Sequence, residues 1–446
     1  MKKRTLSTTQ MILLGFLATI LLGSLLLWLP ISSANGKSVP YIDALFTSTT
    51  ATCVTGLVTV TTATTWSYFG QAVILLLIQI GGLGVITVMS GFMIMFGKRL
   101  NLGNRILIMD SFNLDSLSGI VAFIKKVVIG SLIIEGIGAL LYMTVFIPEF
   151  GIKGIWISIF NAVSAYCNAG MDIISDTSLY SYVTHPVINV VTSLLIIVGG
   201  IGFIVWWDII RIIKNKNTRH FRYLSLHSKI ALSATAFLIV FGALMIFIFE
   251  FSNPQTIGNL SFGEKIQASF FQSVTTRTAG FASIPQENLT LPSTIISLFL
   301  MFIGGSPVGT AGGIKTVTFF IIIFSTFSVI TGRNETSVFN RRISGKSLRK
   351  ALAVCATATI IVFTSTLLIS VFSNAAFTDI IYETVSATAT VGLSRNLTAS
   401  LNTVSRIIII ATMYMGRVGP ISFAIAFKGK ERSSTVTDPI EEISIG

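Results

Sequence analysis

The sequence predicts an all-α membrane protein: eight transmembrane helices in four membrane–pore–membrane repeats, in a pseudo-fourfold arrangement around one pore. Three observations carry that prediction. Hydrophobic residues make up 52% of the chain and charged residues only 11%. The charged share is about half that of a soluble domain, so polar surface is too scarce to coat a globule and lipid must cover the rest. Lys and Arg gather in alternate connections between apolar runs. One short motif recurs four times in register, each copy between two of those runs.

The apolar runs lie near residues 10–29, 68–96, 121–147, 187–213, 228–250, 292–329, 350–373 and 403–427. The first follows Lys2, Lys3 and Arg4 in the manner of a secretory signal. Its length suffices to span a bilayer, which takes about 20 residues, so a retained helix is expected. Several runs exceed that length, so tilts, kinks or cytosolic extensions are expected within them.

Basic residues set the orientation. Of the 31 Lys and Arg, 23 fall in the N-terminus, in the connections holding Lys98–Lys126, Arg211–Lys229 and Arg333–Lys350, and in the C-terminus. The opposite side holds Lys37, Lys153, Lys265, Arg277, Arg395 and Arg406. The positive-inside bias puts both termini in the cytoplasm. The same distribution argues against nucleic acid as the target of the net charge of +13.

The recurring motif occupies the outer connections. It runs from Phe46 to Gly56, Phe160 to Gly170, Phe270 to Gly280 and Tyr382 to Gly392, with an aromatic residue ten positions before each glycine. The glycines recur at intervals of 114, 110 and 112 residues. A second glycine mark follows at Gly81, Gly199, Gly304 and Gly416. Two markers in register four times over indicate internal repetition. The repeats are bounded at 1–98, 99–216, 217–332 and 333–427, with a tail at 428–446.

A segment too short to cross can sit at membrane depth only when buried in protein or lining a watery cavity. Four such segments around one axis satisfy that condition together. Each makes a short helix and then reverses, which frees carbonyl oxygens to replace the hydration shell of a cation. Glycine supplies the positive φ that the reversal needs, and the negative ends of the short helices favour a cation at the axis. Helix packing is the alternative use of Gly81, Gly82 and Gly84 and of Gly199, Gly200 and Gly202, where small residues also permit close approach or hinging.

These residues resemble the Trk/Ktr/HKT superfamily of potassium transporters over nearly the whole chain, and most of all the membrane subunit of bacterial Ktr systems. The resemblance implies a potassium filter formed by Val54, Thr55 and Gly56, by Asn168, Ala169 and Gly170, by Thr278, Ala279 and Gly280, and by Thr390, Val391 and Gly392. Glycine rather than serine at position 56 implies potassium over sodium. The third repeat departs from the rest at Gly304, Gly305, Ser306, Pro307, Val308, Gly309, Thr310, Ala311, Gly312 and Gly313, through which no regular helix can run. The resemblance makes this an intramembrane gate loop, with a static kink as the alternative. It also puts Arg417 in the pore near that loop, as a barrier to cations or as a hydrogen-bonding pin on loop carbonyls. Lys315 is expected to snorkel toward the cytoplasm. A homodimer and a cytosolic ring of nucleotide-binding regulatory subunits are further implications of the resemblance.

At the outer mouth, Asp43, Asp172, Asp176, Glu264, Glu287, Asp379 and Glu383 suggest either a negative vestibule or a solvated surface, with Asp172 within reach of Arg277 or Arg395. Glu135 and Asp208 fall within spans without an evident partner. Cys53, Cys167 and Cys355 lack metal spacing and read as buried free thiols. The Gly309–Thr316 stretch only superficially resembles a phosphate loop, and no catalytic constellation or organic cofactor site is evident. The expected activity is potassium uptake, with potassium as the transported ion and the lipid bilayer as surroundings. Ion-coupled secondary transport, dependent on sodium or protons, is the alternative.

Overall fold

The computed structural model describes residues 7–95, 102–111, 119–214 and 221–419. Among these lie seventeen α-helices. In the first quarter they are α1 (Thr8–Trp28), α2 (Tyr41–Cys53), α3 (Thr62–Thr65), α4 (Tyr68–Leu83) and α5 (Val85–Met95), followed by α6 (Leu102–Ser111). Then come α7 (Ile120–Phe150), α8 (Lys153–Cys167), α9 (Pro186–Ile201) and α10 (Phe203–Lys214). The second half holds α11 (Leu226–Glu250), α12 (Phe262–Thr275), α13 (Leu291–Phe302) and α14 (Thr316–Ile330). A two-residue hairpin, β1 (Ser337–Val338) and β2 (Arg341–Arg342), precedes α15 (Gly345–Phe372), α16 (Phe377–Ala389) and α17 (Thr403–Val418).

Local chemistry marks the helix starts. Ser7 and Gln10 form a capping box at α1, and Ser261 and Glu264 form another at α12. Pro186 opens α9 and Pro292 lies in the first turn of α13, where a missing N–H costs nothing. Ser67, Ser225, Thr290, Ser344 and Asn402 cap α4, α11, α13, α15 and α17.

Helices α1, α11 and α15 are each long and apolar enough to cross a bilayer. Leu22, Leu76, Leu140, Val240 and Phe363 are exposed along their helices, as lipid-facing positions should be. The expected spans 68–96 and 187–213 are not straight. They bend by 100° between α4 and α5 and by 95° between α9 and α10. The bends fall at Gly84 (φ 88°) and Gly202 (φ 97°), a conformation that costs glycine nothing. The expected span 292–329 is broken into α13 and α14 by residues 303–315. Residues 420–427 of the last expected span, the 428–446 tail and the boundaries at 98/99 and 216/217 lie outside the described residues.

The packing order is cyclic. In each quarter of the chain a short buried helix packs on the long helix before it: α2 on α1, α8 on α7, α12 on α11 and α16 on α15. The helix that follows then packs on the next quarter's short helix: α4 on α8, α9 on α12, α13 on α16, and α17 back on α2. The four short helices therefore stand at the centre. Phe46, Phe160 and Tyr382 anchor three of them, fully buried.

The third anchor differs from the sequence expectation. Phe270 is 40% exposed, and Phe271 is the residue buried completely. The same shift appears in the hydrogen bonding. Ser48, two residues after Phe46, donates to Ile20 O, and Ser273, two residues after Phe271, donates to Ile239 O. The third hairpin is thus one residue shorter between its aromatic anchor and its glycine.

Candidate functional site

Each central helix ends in the same reversal. The residue two before each motif glycine is left-handed: Val54 (φ 56°), Asn168 (φ 59°), Thr278 (φ 63°) and Thr390 (φ 51°). The glycines follow at φ 99°, 64°, 80° and 97°. Left-handed backbone costs a residue such as valine or threonine about 1–2 kcal/mol, so something must hold it. The next N–H does so by donating back to the helix end: Thr55 to Thr50 O (2.8 Å), Ala169 to Ser164 O (2.8 Å), Ala279 to Thr275 O (3.0 Å) and Val391 to Ser386 O (2.8 Å).

Hydroxyls complete the turn. Thr50 Oγ1 accepts from Gly56 N at 2.9 Å, and Ser386 Oγ accepts from Gly392 N at 3.0 Å. Ser164 Oγ accepts from Met171 N and donates to Met171 O, and Thr275 donates to Phe281 O. The sequence reading missed these hydroxyls, although their signal was legible: Thr50, Ser164 and Ser386 each stand six before the glycine. In the third repeat Thr275 stands five before, matching the shortened hairpin.

The four reversals meet in a closed ring. A methyl group at Gly56 would lie 2.6 Å from Ala169 O, one at Gly170 would lie 2.5 Å from Ala279 O, and one at Gly280 would lie 2.5 Å from Val391 O. The fourth contact, Gly392 to Thr55 O, closes the cycle. The ring therefore brings together eight of the twelve expected filter residues, Thr55–Gly56, Ala169–Gly170, Ala279–Gly280 and Val391–Gly392, and the left-handed residue before each pair completes the turn. Thr55 O, Ala169 O, Ala279 O and Val391 O accept no backbone hydrogen bond among the described residues. Such a ring of free carbonyls can take the place of water around a bare cation, and the C-terminal ends of α2, α8, α12 and α16 add negative potential there.

Polar pairs fasten the outgoing strands. Buried Glu383 accepts from Ser394 Oγ (2.9 Å) and from the Thr398 hydroxyl. Gln272 and Gln286 exchange amide hydrogen bonds, and Tyr382 OH donates to Gln286 Oε1 at 3.0 Å. The expected acidic vestibule is reduced by ion pairing and burial. Asp379 pairs with Arg395 at 2.7 Å, Asp43 pairs with Arg406 at 2.6 Å, and Glu383 and Asp172 are buried. Arg395 therefore does not pair with Asp172, and neither does Arg277, which is buried and donates to Gly304 O at 3.2 Å. Arg277 is thus no part of an outer surface.

Residues 304–315 lie against this ring. Gly304 N bonds Ile314 O and Thr316 N bonds Gly305 O, which pinches the loop's two ends together. Its middle is bonded to the α9–α10 bend: Ser306 N to Gly200 O (2.8 Å), Thr310 N to Gly199 O (3.2 Å), and Phe203 N to Val308 O (2.9 Å). Thr310 Oγ1 touches Tyr166 O and Asn168 Oδ1, and Gly312 lies against the Thr390 side chain. Arg417 donates to Thr310 O at 2.5 Å and to Gly81 O and Gly82 O at 2.5 and 3.3 Å, so it ties the loop to the α4–α5 bend. Lys315 turns back onto Ala311 O. A cavity of about 250 Å³ adjoins these groups, lined by Phe16, Leu83, Val308, Lys315 and Arg417 among others.

The remaining buried charges find partners. Glu135 accepts from Gln79 Nε2 at 3.0 and 3.1 Å, with Cys167 beside them. Asp208 pairs with Arg211 and accepts from Ser225 N. Cys53 and Cys167 are buried free thiols, whereas Cys355 is only half-buried. Gly81, Gly199 and Gly416 pack without side chains against the carbonyls of Thr52, Tyr166 and Thr388. The glycine marks therefore serve close packing, with the bends three residues further on in α4 and α9.

Residues 3–436 match the family described as TrkH, cation transport protein. The chain is 40% identical to the Ktr system potassium uptake protein B of Bacillus subtilis, over 98% of this chain and 96% of the relative. It is 39% identical to the potassium/sodium uptake protein NtpJ of Enterococcus hirae, over 100% and 99%. The crystal structure of the potassium transporter TrkH from Vibrio parahaemolyticus superposes with a TM-score of 0.76 at 16% identity, covering 96% of this chain and 86% of that one, which is a likeness of fold.

Proposed function

The chain belongs to the TrkH family of cation transport proteins, a multi-pass membrane family, and we propose that it takes up potassium through the ring at Gly56, Gly170, Gly280 and Gly392. Potassium is the transported substrate. The observation that carries the reading is the closed cycle in which each motif glycine abuts the carbonyl preceding the next. Carbonyls of Val54–Gly56, Asn168–Gly170, Thr278–Gly280 and Thr390–Gly392 form the filter, one strand from each repeat. Residues 304–313 and Arg417 form the gate: the loop bars the path below the ring while Arg417 holds Thr310 O.

Three relatives are named as Ktr system proteins, which supports a subunit of a larger assembly. We assign control to a cytosolic nucleotide-binding ring and dimerisation to a second copy of this chain. The basic connections support cytoplasmic termini. Sodium-coupled uptake is the second reading, favoured by the potassium/sodium name of the Enterococcus hirae relative. Potassium and sodium flux into liposomes holding the purified chain tests the proposal. Selective potassium flux without sodium is the expected result. Potassium flux that requires sodium supports coupling, and equal flux of both ions removes the filter reading.

A further inference from the structure

The third repeat breaks a rule that the other three keep. In repeats 1, 2 and 4 the second-span glycine lies directly on a carbonyl of its own hairpin, at Thr52, Tyr166 and Thr388. Backbone against backbone leaves nothing to slide. In repeat 3 the corresponding Gly304 lies instead against Gly312 and Gly313 of the loop. A side chain bridges the gap: Arg277 reaches from the hairpin and donates to Gly304 O at 3.2 Å.

Position and chemistry make this link unlike the others. Arg277 stands three before Gly280, where the other hairpins carry Cys53, Cys167 and Ala389. The one-residue shortening of this hairpin sets the position apart as well. Arg277 is 7% exposed and forms no ion pair among the described residues. Such a charge is costly unless it holds something. Among the described residues its Nε has no partner, and the side chain lines a small pocket with Asn168, Thr235, Gly200 and Gly305. Asn168 Nδ2 and Thr235 Oγ1 are unpartnered there too. A guanidinium has five donors in a rigid fork. The pocket that Arg277 lines also borders Gly305 of the loop and Gly200 beside the α9–α10 bend, so a displaced loop stays near a donor that has no other partner.

We propose that Arg277 is a positioning residue that couples the third filter hairpin to the intramembrane loop, holding the closed loop by Gly304 O and transmitting its displacement to Thr278–Gly280. The inference rests on the filter and gate of the proposed function. Coupling between two sites is reciprocal, so loosening the link alters both of them.

The test is flux from the full chain in liposomes without a regulator, for Arg277→Gln and Arg277→Lys, with potassium and sodium measured separately. Loss of a hydrogen bond from a charged donor predicts basal potassium flux about tenfold higher for Arg277→Gln. The potassium-over-sodium ratio falls in the same variant, which a purely structural role would not produce. Arg277→Lys keeps the charge but not the fork, and shifts both readouts in the same direction by less. Where Arg277→Gln yields no folded protein, Arg277→Lys is judged by the same two readouts. Folded variants with wild-type flux and ratio overturn the proposal, as does a change in melting temperature alone. A variant with the 304–313 loop shortened runs alongside. If it opens while the Arg277 variants do not, the coupling fails and the gate stands; if it leaves flux unchanged, the gate itself fails.

Discussion

At the scale of single residues, the ring depends on what is missing from four glycines. Gly56 holds φ 99° with Ala169 O 2.6 Å from where a side chain would start. Gly56→Ser must either strain the turn or push the neighbouring carbonyl aside, and strain of this kind costs about 1–3 kcal/mol. The expected outcome is a fall of about tenfold in the potassium-over-sodium flux ratio; an unchanged ratio would count against the filter. Arg417 makes the opposite kind of contribution, through three donated bonds that join Thr310 O to Gly81 O and Gly82 O. Arg417→Gln is expected to raise basal potassium flux by roughly tenfold, read in the same liposome assay. Much of this level was legible in the sequence. The glycine spacing pointed to four positions that the structure closes into one ring, because positive φ and close approach leave glycine little competition. Arg277 was misplaced because counting basic residues by connection records which loop a residue occupies, not which way a buried side chain turns.

At the scale of elements, the third repeat is where expectation and structure part. The run 292–329 had enough apolar residues for a continuous helix, yet Gly304–Gly313 lies unwound against the α9–α10 bend. The glycines and Pro307 made that break legible, while the bonds to Gly199 O and Gly200 O, from a different repeat, were not. Removing Gly309–Gly312 takes away the Thr310 contacts to Tyr166 O, Asn168 Oδ1 and Arg417 together. Flux without a regulator should rise, and a folded variant with flat or reduced flux would contradict the gate. The anchor of α12 tests the shifted register. Phe271→Ala empties a completely buried site and should cost about 3 kcal/mol. Phe270→Ala, at an exposed position, should change the melting temperature in detergent little. The sequence could not separate these two adjacent phenylalanines, because either one keeps an aromatic near the expected spacing.

At the scale of the whole molecule, one chain closes a ring that needs each quarter to pack on the next. The last junction, α17 on α2, joins residues more than 350 positions apart and is tied by the Arg406–Asp43 pair at 2.6 Å. Arg406→Ala leaves a nearly buried carboxylate without its charged partner and should lower stability by about 2 kcal/mol, seen as a lower melting temperature. Repetition made the cyclic order legible, since four matched units have few other ways to bury four short helices. The 100° and 95° bends fall at Gly84 and Gly202, among the glycines where hinging was one expected use; their sharpness was not legible because apolar composition continues unbroken through both. The central claim is that the carbonyls preceding the four motif glycines hold a dehydrated potassium ion on one shared axis. An anomalous difference map from crystals of the chain soaked in rubidium, a potassium analogue, tests it most directly. The account predicts a peak enclosed by the carbonyls of Thr55, Ala169, Ala279 and Val391; a map with the hairpins splayed apart, or with rubidium bound only elsewhere, would contradict it.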